Sequence, residues 1–451
     1  MQTSQYETIL DYLRRLIDCT PWEGHVFAVG GCCRDAVLGS EIKDIDLAVD
    51  LPDGGIAFAE WLYNRGLTAK EPVTFPSFGT AMLKLSEFPN EEIEIVQTRR
   101  EKYTPATRGN PAVVFGSKEE DCLRRDLTIN ALYYDISKGE MLDILGRSVD
   151  DIHNHIIRTP DNPVRTFDDD PVRILRAIRF ATRYGWEVDD ETIEGMRINA
   201  PLLKHIRPER RQAEIEKILC GNDPAGAMRL LLKSDSLPYT FPELSQTVRK
   251  EQNFRHNDTV WEHSLAVMSL VPPISVLRWA ALYHGIGSRT SVAKAMRRYH
   301  YDKDTINKVI FLIEHHNDTK KWGAECENMS DADLRRLQRN CSSKERLSRL
   351  LALIHADNIS YAPEHRMPLQ TKIIERRSEE LYRIGQAAFG FHKTLSNKQI
   401  RRIKNLKPNA GIEVFRNFLC ELLIENPTLS HDELCRSLAA FNPKDLSLIH
   451  I

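Results

Sequence analysis

The chain has 451 residues, too many for a single hydrophobic core, so two to four domains are expected. Its 41% hydrophobic and 28% charged residues are those of a soluble globular protein, and no run of about 18 apolar residues that would span a membrane occurs. With a formal net charge of only −2, any nucleic-acid partner has to be held by local patches and not by global attraction. Nine cysteines without a C-x-x-C pair fit reduced cytoplasmic thiols better than a disulfide framework or a zinc site.

Residues 1–20 are polar, with apolar residues at helical spacing, and read as a first helix and not as a signal or transit peptide. A short apolar run over 26–29 then ends at Gly30 and Gly31. This suits a strand whose turn opens backbone N–H groups to a phosphate. Residues 45–49 read as a second strand, on which Asp44 and Asp46 share one face while Ile45 and Leu47 turn to the core. Carboxylates that close repel unless a cation neutralises them, and Mg²⁺, with its preference for oxygen, is the natural choice. Taken alone, such a pair is also common at strand ends. A helix over 55–66 and strands over 81–85, 93–96 and 131–136 complete an α+β unit of about 155 residues. Glu94 is either a third carboxylate or an exposed strand acid. Residues 98–117, rich in Arg, Pro, Gly and Thr, predict an exposed mobile loop.

In Cys122-Leu123-Arg124-Arg125-Asp126-Leu127-Thr128-Ile129-Asn130 the tandem arginines suit phosphate, and Asp126 and Asn130 can hold ribose hydroxyls. The same residues also fit a helix start capped by Asp126. Asp143, Gly146 and Asp150 then mark a turn at the seam between the β-containing and helical parts.

Beyond Pro163 the β signals fade and a 3.6-residue period takes over, across 171–184, 208–220, 264–270, 276–283, 302–316, 344–355 and 369–386. At the head of this part Asp170 stands three residues before Arg173, and Arg176 and Arg179 continue the spacing on one helix face. Val172, Leu175 and Ile178 fall on the buried side. One reading is a helix cap at Asp170 followed by a solvated arginine stripe. The other follows from hydrogen-bond inventories: a carboxylate only accepts and a guanidinium only donates. Cytosine and adenine show an amine donor beside a ring-nitrogen acceptor, and guanine and uracil show the reverse. Asp170 beside Arg173 therefore matches C and A, as a template made of protein. From 381 to 412 there is no acid, and Arg383, Lys393, Lys398, Arg401, Arg402, Lys404 and Lys407 form a stretch that is either solvated surface or a phosphate-binding patch.

In order, GGCCRD with DID, RRDLTINALYYD, the D-x2-G-x3-D turn, DDPVRILRAIRFA, and Pro208-Glu209-Arg210 leading a helix with Glu214 resemble the five motifs of class II CCA-adding tRNA nucleotidyltransferases and the related bacterial poly(A) polymerases. The resemblance spans roughly residues 24–245. It implies a seahorse-like α+β molecule: a polymerase beta-like nucleotidyltransferase head with a mixed sheet (1–155), then a helical neck (156–245), body (246–360) and tail (361–451). It further implies Mg²⁺ on catalytic Asp44 and Asp46, the triphosphate on Gly30, Gly31 and Arg34, and phosphate and ribose on Arg124, Arg125, Asp126 and Asn130. Asp170 and Arg173 would read the base, supported by Arg176 and Arg179. The implied activity is transfer of CMP and AMP from CTP and ATP to the tRNA 3′ end with release of pyrophosphate, the body and tail gripping tRNA by backbone and shape. Cys33, Asp169 and Arg211 depart from the usual Val, Glu and Ile.

Rival activities are a poly(A) polymerase, echoed by Leu132-Tyr133-Tyr134, and an enzyme adding only CC or only A. The intact 98–117 segment leans against CC-only addition, since terminal A addition in the family is associated with such a loop. A second, partial resemblance, to HD phosphohydrolases, rests on Asn257, Asp258 and His263, on residues 277–287, on Glu314-His315-His316 and on His355 and Asp357. Gly285 stands where the metal-binding Asp should be, which implies a degenerate, structural body. A working HD phosphohydrolase, or an RNA-binding protein with an inactive head, are the readings from other classes.

Overall fold

A computed structural model describes residues 5–104, 108, 111–248, 259–286, 288–393 and 395–443. Asn257, Asp258, Gly287 and the apolar end after Leu446 lie outside the described residues, as does the side chain of Lys393. The chain is α+β, with a mixed sheet followed by a helical remainder. It divides into two compact units, Met1–Ser245 with Arg298–His300, and Gln246–Arg297 with Tyr301–Ile451.

The first unit begins with α1 (Gln5–Ile17), which buries Ile9, Leu10, Leu13 and Ile17 along one face. Seven strands build the sheet: β1 (Val26–Val29), β2 (Ile45–Val49), β3 (Val73–Phe75), β4 (Thr80–Leu83), β5 (Ile93–Gln97), and, further on, Tyr133–Asp135 and Glu140–Leu142. Between β5 and that last pair, β6 (Arg99–Lys102) and β7 (Ala112–Phe115) form a separate antiparallel ribbon. Tyr133–Asp135 and Glu140–Leu142 are accordingly β8 and β9, and the sheet order is β3-β4-β5-β2-β1-β8-β9. Within this sheet, among the described residues, only β2 and β5 pair in parallel, with Asp46 opposite Glu94. α2 (Gly31–Val37) follows β1 directly, and α3 (Gly54–Asn64) covers the sheet with Phe58, Ala59 and Leu62.

The β6–β7 ribbon corrects the mobile loop expected over 98–117. Arg-Arg-Glu-Lys carries no hydrophobic period, yet it alternates half-buried Arg99 and Glu101 with exposed Arg100 and Lys102. The inward face is made of charges paired with other charges, so a search for apolar alternation passes over it.

Two short helices, α4 (Lys118–Leu123) and α5 (Ser148–His153), flank the end of the sheet. Ser117 and Glu120 form a capping box at the start of α4. The helical part of this unit comprises α6 (Pro163–Asp169), α7 (Val172–Tyr184), α8 (Asp190–Asn199), α9 (Pro208–Leu219) and α10 (Pro224–Lys233). One small β element interrupts it, where Glu187–Val188 pairs in parallel with Ile156–Ile157. α7 buries Val172, Leu175 and Ile178 and ends at Gly185, at φ 70°. Arg211 of α9, in place of an aliphatic residue, lays its guanidinium over the Tyr299 ring, 5.4 Å from the centroid.

The second unit is helical among the described residues. Helices Val260–Leu270, Ser275–Tyr283, Lys303–His315 and Lys344–Ile359 bury Trp279, Leu282, Val309 and Leu353. A further apolar cluster joins Ile400, Leu419, Leu423, Leu434 and Leu438. Among the described residues no helix is long and apolar enough to cross a membrane.

The sheet of the first unit has a tight spot at Gly55. A Cβ there would lie 2.8 Å from Gln97 N and 2.9 Å from Val96 C, both backbone atoms of β5. Gly55→Ala is expected to lower stability by about 1–3 kcal/mol through forced separation of α3 and the sheet, as read by urea denaturation.

Candidate active site

Gly30, Gly31, Arg34, Asp44 and Asp46 line one cavity of about 700 Å³ together with Arg124, Arg125, Asp126 and Asn130, and with Asp170, Arg173, Arg176 and Arg179. Local structure explains each placement. The turn from β1 into α2 needs φ 75° at Gly30, where a Cβ would also come within 3.3 Å of an Arg125 nitrogen and 3.9 Å of Asp46 Oδ2. α2 then presents Arg34, whose guanidinium donates to Asp35 (2.8 Å) and to Asn130 Oδ1 (2.7 Å).

Asp44 is exposed at the mouth of β2, and Asp46 is half-buried one step further in on the same face. Burial, then the neighbouring charges of Glu94 and Asp44, push Asp46 up from 3.8 to about 6, against the pull of Arg125. Glu94 is itself exposed, and its place opposite Asp46 adds to the negative charge there. An all-oxygen donor set whose members resist shared ionisation fits a hard divalent cation.

The tandem arginines owe their posture to Asp121, a residue not singled out from sequence. Arg124 donates to Asp121 Oδ1 at 2.5 and 2.9 Å, and Arg125 to Oδ2 at 3.0 and 3.2 Å. Tyr133 OH donates to Oδ2 at 2.6 Å and the Arg99 N–H to Oδ1 at 3.1 Å. Burial alone would raise Asp121, yet Arg124, Arg125 and Tyr133 hold it well below the usual carboxylate range. The signal was available: Asp121 precedes Arg124 and Arg125 by three and four residues, the helical pairing distance. Asp126 is likewise buried, and Arg176 (2.6 Å) and Asn130 (3.1 Å) outweigh that burial to bring it down to about 2.

α7 supplies the arginine stripe, and it is not a solvated one. Arg173 is only 8% exposed. Its guanidinium reaches Glu101 Oε2 (3.5 Å) and Tyr103 OH (3.3 Å) of the β6 segment, and the Thr166 carbonyl (3.4 Å). Glu101 also binds Arg124 (3.1 Å) and Arg99 (3.2 Å). These contacts, Arg124 foremost, hold it below its ordinary value in spite of burial. Arg179 pairs with Glu214 of α9 at 2.7 Å. Asp170 does accept the Val172 N–H (3.3 Å), as a cap would, but its main partner is Arg210, at 2.6 and 3.2 Å. Glu101, Tyr103, Arg99 and Arg210 also line the cavity and were not among the expected site residues.

Residues 26–158 match the Poly A polymerase head domain, and residues 185–247 match the probable RNA and SrmB-binding site of polymerase A. The chain is 37% identical over 222 residues to the mitochondrial CCA tRNA nucleotidyltransferase of Saccharomyces cerevisiae, covering 46% of this chain and 40% of that protein. It is 32% identical over 230 residues to the CCA-adding enzyme of Limosilactobacillus reuteri, covering 51% of this chain and 54% of that one. Over these segments the chain is similar to the tRNA nucleotidyltransferase and poly(A) polymerase family. It spans about half the length of these curated relatives. Over 97% of both chains its fold matches the Bacillus stearothermophilus CCA-adding enzyme in complex with CTP, at TM-score 0.71 and 19% identity. The Thermotoga maritima CCA-adding enzyme complexed with tRNA matches at TM-score 0.61 and 20% identity, over 97% of this chain and 96% of that one.

A second cavity, of about 470 Å³, lies within the second unit and gathers the HD-like residues. His263 Nε2 donates to Asp357 Oδ1 (3.0 Å) and lies 3.0 Å from His284 Nε2. Lys320 Nζ (3.1 Å) and Tyr361 OH (2.9 Å) take the other Asp357 oxygen. Burial pushes His316 down to about 4 and lowers His263. His315 pairs instead with Asp318 and His355 with Thr371, and Gly285 brings no ligand to the cavity. In the basic stretch Arg383, Lys398, Arg402 and Lys407 are exposed, while Lys404 binds the Ala439 and Phe441 carbonyls.

Two outcomes follow from these charges. Asp121→Asn, which strands two arginines beside a neutral amide, is expected to cost about 3–5 kcal/mol in denaturant unfolding. A divalent cation needs Asp46 ionised, and the folded state holds that proton up to about pH 6. Cation affinity is therefore expected to fall about tenfold per pH unit below 6 and to level off above it, in Mg²⁺ titrations followed by calorimetry. Without cation, the raised value makes the folded state lose stability as pH rises from 3.8 to about 6.

Proposed function

We propose that this protein is a CCA-adding tRNA nucleotidyltransferase, transferring CMP and AMP from CTP and ATP to the tRNA 3′ end with release of pyrophosphate. The observation that carries this reading is one cavity joining a carboxylate pair on β2, an arginine floor behind Asp121, and Asp170 and Arg173 on the helical side. The names of the relatives and the tRNA and nucleotide complexes of the fold neighbours support it. Among the alternatives, a poly(A) polymerase has no need of a cytosine-compatible pair, and partial CC or A addition uses the same chemistry.

In this mechanism Gly30, Gly31 and Arg34 hold the triphosphate, and Arg124 and Arg125 offer donors fixed in place before substrate arrives. Asp126 and Asn130 hold the ribose. Asp170 accepts from the amine of C or A while Arg173 donates to the ring nitrogen, with Arg176 and Arg179 keeping the pocket cationic. Asp44 and Asp46 are the catalytic pair and the place of Mg²⁺, which when bound neutralises the α-phosphate and lowers the pKa of the attacking 3′-hydroxyl. No separate protein base is required.

We assign the chemistry to a head of residues 1–155, base and RNA contact to a neck of 156–245, a structural HD-like body to 246–360 and tRNA grip to a tail of 361–451. The body reads as structural because His263, Lys320 and Tyr361 occupy the oxygens of Asp357. The exposed tail cations suit an RNA backbone. The nine free thiols suit a cytoplasmic setting.

The test uses tRNAs ending at the discriminator base, at C and at CC, each with one labelled nucleotide, and product lengths read on a gel. Stepwise C, C, A extension is expected, with Asp44→Ala and Asp46→Ala proteins at least about 10³-fold slower. Runs of A on every primer would make it a poly(A) polymerase, and undiminished extension by both variants would remove the catalytic assignment.

A further inference from the structure

We infer that Arg210 is a positioning residue for base selection: its guanidinium fixes the Asp170 carboxylate in the plane from which it meets the amine of cytosine or adenine. This rests on the base-reading role proposed for Asp170.

Asp170 sits between α6 and α7 in extended backbone, at φ −146° and ψ 96°. Its last torsion has a broad profile, so a carboxylate there turns easily unless something holds it. The Val172 N–H touches only Oδ1. Arg210 touches both oxygens, NH1 to Oδ1 at 3.2 Å and NH2 to Oδ2 at 2.6 Å. A two-pronged guanidinium contact sets the plane of a carboxylate as well as its position. About four acceptor sites are available on a carboxylate, so the fork leaves room for a base amine. Arg210 faces the same cavity as Asp170 and Arg173.

The acceptor and donor halves of the template have different supports. Arg173 is tied to Glu101 and Tyr103, whereas Asp170 is tied to α9 through Arg210. The same helix holds Arg179 through Glu214. Loss of Arg210 therefore loosens the acceptor first. A fixed carboxylate opposes the carbonyl that uracil or guanine presents at the amine position. One free to turn away does not. Lysine brings the charge of Arg210 without its fork, so it is a poor replacement.

The experiment compares the full-length wild type with Arg210→Ala and Arg210→Lys, measuring kcat and KM for CTP, ATP, UTP and GTP on primers ending at the discriminator base and at CC, with thermal midpoints alongside. In both variants the preference for CTP over UTP, and for ATP over GTP, is expected to fall at least about tenfold, with Arg210→Lys closer to Arg210→Ala than to wild type. Unchanged preference in Arg210→Ala overturns the inference, as does full rescue by Arg210→Lys. So does an equal loss for all four nucleotides that tracks a lower thermal midpoint, which marks a structural role. A wild type that adds neither C nor A overturns the proposed function and the role of Arg210 together, whereas normal addition with indifferent variants overturns the role of Arg210 alone.

Discussion

The candidate active site depends on one buried carboxylate. Asp121 is closed to solvent and accepts hydrogen bonds from two neighbouring arginines, a tyrosine and a backbone amide. A lone charge at that depth is costly, and so are two arginines packed side by side; together each offsets part of the other's cost, and a positive charge remains. Arg124 and Arg125, held by these bonds, line the cavity. An anion arriving there meets fixed dipoles and does not have to reorganise them.

The same logic repeats outward from this centre. Asp126 holds Arg176, Glu101 holds Arg124 and Arg173, Asp170 holds Arg210, and Glu214 holds Arg179. Asp126–Arg176 and Glu101–Arg173 join the sheet side of the first unit to α7, and Asp170–Arg210 and Glu214–Arg179 join α7 and the turn before it to α9, so the arrangement is structural as well as electrostatic. The glycine turn at Gly30 admits Arg125 to within van der Waals reach of the backbone, and any side chain there would separate the arginine floor from Asp46. In the second unit, by contrast, the His263 and Asp357 network closes on itself through Lys320 and Tyr361.

Much of this was legible in the chain. An apolar run ending at glycines marked β1 and alternation marked β2 at their observed bounds, and the 3.6-residue period placed α7 and α9 to within a residue. The spacing of Asp44 with Asp46, and of Asp170 with the three arginines, placed them on common faces because side-chain direction follows from local backbone geometry. The β6–β7 ribbon was missed because its inward residues are charged, and hydrophobic patterning is blind to a face held by ion pairs. The same blindness hid Glu101 and Tyr103. Asp121 was not singled out, although it stands three and four residues before Arg124 and Arg125.

The sequence by itself determined the local elements, the motif order and the chemical character of the site residues, since each follows from bonded geometry and from what a side chain can donate or accept. Only the tertiary structure decided the partners. Whether Asp170 meets Arg173, three residues away, or Arg210, forty residues away, depends on how α9 packs against α7, and that packing is a property of the whole buried surface. The raised proton affinity of Asp46 has the same origin: burial by the packed sheet raises it most, and Glu94 adds to it because β2 and β5 pair in parallel, a contact between distant segments that no local spacing encodes.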